Sequence, residues 1–123
     1  MPSALAAPSP ASVARKALAR AAPRLGLKQV QVSRILGVSE STVARLFAGT
    51  AELSLDRKEG ELALLLLRIF RSLDAAVGGD AEAVRAWFHA ENDHLGGVPA
   101  QLVEKAEGLV RVAGYLDAVR GKL

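Results

Sequence analysis

Glu40, Ser41, Thr42 and Arg45 fall within one short stretch, and each can donate to or accept from a base edge or a phosphate oxygen. On a helix the first three occupy the opening turn and Arg45 follows one turn on, which gathers them into one hydrogen-bonding region. A second gathering, His89, Glu91, Asp93 and His94, brings together side chains able to ligate a metal or exchange a proton. It sits on a helix end and a loop, with no second cluster to complete a site. The chain also offers no glycine-rich phosphate cradle and no cysteine nucleophile. Catalysis, a resident metal and a cofactor are therefore not expected.

The hydrogen-bonding set has to be carried by something, and the stretch from Gly26 to Gly49 supplies it. Val32, Ile35 and Leu36 make an apolar stripe on a helix running from Lys28 to Leu36, and Val43, Leu46 and Phe47 make another on a helix from Glu40 to Phe47. Gly37 stands where a left-handed residue closes the first helix. Val38 plugs the angle, and Ser39 is placed to cap the second helix through the amide of Ser41 or Thr42. This is a helix-turn-helix, with Glu40, Ser41, Thr42, Ala44 and Arg45 left outward on its second helix.

Composition agrees. At 123 residues and 12.9 kDa the chain makes one domain, or two very small ones sharing a core. Alanine and leucine dominate, aromatics are few and alternating runs of Val, Ile and Thr are missing, so the class is all-α. With no cysteine, disulfides and thiolate metal sites are excluded, which fits a reducing cytoplasm. The start lacks the plan of a signal peptide. The longest aliphatic run, Leu62 to Leu67, is far too short to span a membrane. A soluble cytoplasmic protein without a membrane partner is expected. Charge is uneven: residues 1–50 carry a net +6 and residues 51–123 a net −3, so the half bearing the helix-turn-helix is the half suited to phosphate.

In chain order, residues 1–10 read as a disordered tail, rich in proline with little to pack. A helix follows from Ala11, with Val13, Ala17, Leu18 and Ala21 inward and Arg15, Lys16 and Arg20 outward, until Pro23 ends or kinks it. The helix-turn-helix region is assigned to residues 11–52 and a second helical region to residues 53–123. A long helix from about Asp56 to Val77 is, over two of its turns, apolar nearly all round, through Leu62, Leu65, Leu66, Ile69 and Phe70 as well as Ala63, Leu64 and Leu67. Such a helix must be surrounded, and the expected cover is a second copy of the chain, the alternative being the chain's own short helices. Gly78-Gly79-Asp80 stops it and caps the next helix, where Val84, Trp87 and Phe88 share a face and Trp87 belongs to the core. Glu91 to Val98 reads as loop, Pro99 opens a short helix, and an amphipathic helix from Glu107 to Arg120 closes the chain.

With these residues set out, the helix-turn-helix resembles that of the Xre or Cro/C1-type repressors. In that family a Gln opens the first helix and anchors a phosphate, and Gln29 holds the matching place; Ser33 departs mildly from the small residue usual in mid-helix. The DNA-contacting set implied is Gln29, Ser39, Glu40, Ser41, Thr42 and Arg45. The second half resembles the toxin-binding domain of the Xre/MbcA/ParS antitoxins. The matching residues are K-E-G-E at Lys58 to Glu61, R-A-W at Arg85 to Trp87, N-x-x-L-G-G-x-P-x-x-L from Asn92 to Leu102, and E-G-L-x-x-V-x-x-Y-L from Glu107 to Leu116.

That resemblance implies as partners a RES-domain toxin that degrades NAD and the operator of the shared operon; with the second copy expected from the long helix, a dimer places two reading helices about one helical turn apart, so the operator is expected to be an inverted repeat. The implied toxin-facing residues are Asn92, Leu95, Arg111, Tyr115, Asp117, Arg120 and Lys122; those implied for dimerisation are Leu62, Leu65, Leu66, Ile69 and Phe70. His94 departs from the small residue expected before Leu95. The alternative function is a dimeric helix-turn-helix regulator whose second half takes another ligand or partner.

Overall fold

The computed structural model describes residues 7–119, and over them the chain forms seven helices and no β-strand. Most of the tail, and Arg120 and Lys122 from the toxin-facing set, lie outside the described residues. Helix α1 spans Pro10–Arg24, α2 Gln29–Leu36 and α3 Glu40–Ala48. Helix α4 spans Lys58–Ala76, α5 Ala81–Phe88, α6 Pro99–Leu102 and α7 Ala106–Ala118.

Ser9 and Pro10, assigned to the tail by composition, open α1 instead: the Ser9 side chain accepts from the amide of Ser12 at 3.1 Å, and Pro10 takes the first turn, where its missing N–H costs nothing. Pro23 lies within the last turn, and the helix ends one residue later. Leu18 and Ala21 are buried as expected and Ala17 packs half-buried against the core, but Val13 is exposed and Ala14 and Ala22 are buried in addition. An alanine-rich helix has small apolar residues on every side, so tertiary contact chooses its register.

Between α2 and α3, Gly37 adopts φ 71° and its amide returns to the Ser33 carbonyl at 2.9 Å, as the turn chemistry requires. Asp80 caps α5 by accepting from the amides of Glu82 and Ala83 at 3.0 and 3.2 Å.

The long α4 is the strut of the fold. It packs against α1 and α2 on one side and against α5 and α7 elsewhere, so one continuous apolar cluster runs from Ala14 to Leu116. The chain's own helices thus cover most of the helix for which a second copy was expected. Leu66 and Ile69 are fully buried in this core and cannot meet a partner directly, which corrects their assignment to dimerisation. Leu62, Leu65 and Phe70 are half-buried, and Leu64 points outward.

Candidate DNA-reading face and partner surface

The α3 face follows from its two caps. At its start the Ser39 hydroxyl accepts from the Thr42 amide at 3.1 Å and lies 2.9 Å from the Thr42 hydroxyl and 3.1 Å from that of Ser41. At its end Gly49 turns left-handed at φ 84°. Val43 and Leu46 hold the helix to the core, leaving Glu40, Ser41, Ala44 and Arg45 exposed and Thr42 half-buried. Arg45 donates through Nη2 to the Thr42 hydroxyl at 3.3 Å, so its guanidinium starts from a loosely held position on the outward face.

Ser39, assigned to the DNA-contacting set, is engaged as a cap. Replacing it by alanine is expected to cost about 1 kcal/mol of stability in thermal denaturation, the usual loss for a capping hydroxyl. Gln29 is exposed at the first position of α2, where a phosphate would be met by both a side-chain amide and the free amides of a helix start.

In the second half the structure draws Asn92, Leu95 and Arg111 into one unit. Asn92 pairs with Gly97 across a tight turn, and its side-chain oxygen accepts from the Leu95 amide at 3.1 Å. Arg111 on α7 donates to the Leu95 carbonyl at 2.8 Å. Leu95 itself is buried, so its role is to anchor the turn. Asp117 is engaged by Arg68 and lies 3.4 Å from the Ser72 hydroxyl, tying α7 to α4.

Tyr115 stands apart from these structural ties. Its ring is stacked on Trp87, centroids 6.2 Å apart and planes within 18°, and on His94, 5.8 Å apart and within 27°. Trp87, expected in the core, is half-buried as one end of this three-ring stack, and the exposed His94 forms the other. Sequence reasoning missed the stack because its members lie far apart in the chain. The scarcity of aromatics was the available signal, since two of the chain's five are used here. Val110 and Arg111 on α7 are also exposed, Val110 at 58%.

The other histidine serves elsewhere. His89 Nε2 lies 2.8 Å from the Leu25 carbonyl, joining α5 to the turn after α1. Among the described residues no three His, Cys, Asp or Glu side chains come together as a metal site, and no helix is long and apolar enough to cross a membrane.

A capped helix-turn-helix and a second helical half carrying a half-buried aromatic stack, both built on one core, define an all-α helix-turn-helix protein. Comparison with known families makes this specific. Residues 4–68 match the antitoxin Xre-like helix-turn-helix domain, and residues 72–122 match the antitoxin Xre/MbcA/ParS C-terminal toxin-binding domain. The chain belongs to the Xre/MbcA/ParS-type antitoxins. No curated protein matches it significantly in sequence. The junction of the two matches falls inside α4, so the two matched segments meet in one helix.

Proposed function

We propose that this antitoxin neutralises a RES-type, NAD-degrading toxin through the surface around Tyr115 and, as a dimer, represses its own operon through α3. The observation that carries this reading is the division of labour between elements. In the first half the outward hydrogen-bonding side chains Glu40, Ser41 and Arg45 gather on α3, and in the second half the half-buried Trp87 and Tyr115 and the exposed His94 stack together in the segment that matches a toxin-binding domain. Tyr and Trp are the side chains that most often dominate a protein interface, because each buries a large rigid area at low entropic cost. The basic character of the first half supports phosphate contact there.

Dimerisation would set two α3 helices about one helical turn of DNA apart, so the operator would be an inverted repeat. The half-buried Leu62, Leu65 and Phe70 are the members of the dimerisation set still open to a second copy. Asn92, Leu95 and Asp117 contribute by holding the surface in shape, Tyr115 and Arg111 by meeting the toxin.

Arg45→Ala is expected to relax base preference by about 1–3 kcal/mol at the contacted position, whereas Gln29→Ala should weaken binding to all duplexes alike. Competition binding with operator variants separates the two, and an unchanged preference in Arg45→Ala would remove Arg45 from the reading face. If the second half instead takes a different partner, the wild-type chain itself will fail to neutralise a RES-type toxin.

A further inference from the structure

The basic stripe of α1 splits into two roles. Lys16, Arg20 and Arg24 are exposed, but Arg15 is half-buried and turned toward α3. Its Nη1 donates to the Leu46 carbonyl at 2.8 Å, across 31 positions of sequence. Leu46 lies in the last turn of α3, where carbonyls lack intrahelical partners. The Gly49 amide also reaches that oxygen, but at 3.3 Å, so the arginine is the closer donor. A Cβ built on Gly49 would lie 3.5 Å from Nη1 and 3.6 Å from both Cζ and Nη2, which means the guanidinium face rests against the helix C-cap.

This contact matters because α3 is short. It has nine residues, buries Val43 and Leu46 and packs the half-buried Phe47 against the core. A helix so short has no independent stability, and its direction is set by what grips its ends. Ser39 grips the N-terminal end. At the other end a cation beside the negative pole of the helix dipole both satisfies a carbonyl and fixes the axis.

We infer that Arg15 is a positioning residue for sequence recognition: it clamps the C-terminus of α3 and so aims Arg45 and the opening turn, and it does not contact phosphate. The inference rests on the reading of α3 as the DNA-reading helix, and the test separates the two.

Hydrogen exchange without DNA probes the clamp itself. Arg15→Gln should speed exchange of the Gly49 and Thr50 amides, which close the end of α3, by about tenfold, as expected for a lost charge-assisted bond at a helix terminus. Lys16→Gln, one residue away and exposed, should leave them unchanged. Binding is then measured over a range of salt to the duplex that the wild-type chain selects from a random pool and to a scrambled duplex. Arg15→Gln should bind the selected duplex about tenfold more weakly and the scrambled one within about twofold, with the salt slope unchanged. Arg15→Lys keeps the charge without the planar fork and should recover only part of the selectivity. If Arg15→Gln fails to fold, Arg15→Lys carries the exchange measurement.

Unchanged exchange overturns the clamp. Equal losses on both duplexes, with the salt slope reduced by about 0.9, overturn it in favour of a phosphate contact. If the wild-type chain selects no duplex, the reading of α3 fails and the assignment of Arg15 to recognition is overturned with it, whatever the exchange rates.

Discussion

Gly108→Ala is expected to destabilise the protein by about 3 kcal/mol or more, lowering Tm by roughly 10 °C, and Gly60→Ala by a comparable amount. A Cβ on Gly108 would stand 1.8 Å from the Leu102 carbonyl oxygen, and one on Gly60 would stand 2.1 Å from that of Ser54. Both obstacles are backbone, so no rotamer change relieves them and a helix must move. Each glycine is where a helix start runs hard against the segment leading into it: α7 against the end of α6, α4 against the connector after α3. Gly114 provides the control. It lies exposed on α7 with nothing within 4 Å of an added methyl, so Gly114→Ala should be neutral or stabilise by about 0.5–1 kcal/mol through helix propensity. Thermal denaturation of the three variants decides the matter, and a harmless Gly108→Ala would contradict the packing of α6 on α7.

Tyr115→Ala carries the largest expected functional effect. Removing the middle ring of the stack takes away the contact area of Tyr115 and frees both Trp87 and His94 from their common partner. Affinity for the toxin should fall by about 2 kcal/mol or more, roughly 30-fold, the range of an interface anchor. Operator binding should be unaltered, because α3 and its caps do not involve these rings. Titration calorimetry against purified toxin reads the first effect and duplex binding the second. Equal loss of both would indicate a folding defect and not an interface.

What the sequence makes legible follows from how local each signal is. The helix-turn-helix is readable to within a residue because Gly37, Val38 and Ser39 act on their immediate neighbours, and the same holds for the Asp80 cap. The Asn92 turn lies in the spacing of N-x-x-L-G-G, though which groups it joins does not. The register of α1, with Val13 outward and Arg15 drawn to α3, escapes sequence reasoning because an alanine-rich helix has no distinctive face. Leu66 and Ile69 look suited to a second copy because periodicity reveals that a helix needs cover without revealing what covers it. The ring stack and the tight approaches at Gly60 and Gly108 are tertiary, and only the fold brings their members together.

If one small helical core carries two separable recognition surfaces, one for a toxin and one for DNA, co-expression with the product of the adjacent reading frame, scored by growth and by cellular NAD, tests them most directly. The wild-type chain should restore both, Arg45→Ala should restore both equally well, and Tyr115→Ala should restore neither fully while still binding the operator. Rescue by Tyr115→Ala as complete as that by the wild type, or a wild-type chain that leaves NAD depleted, would contradict the account.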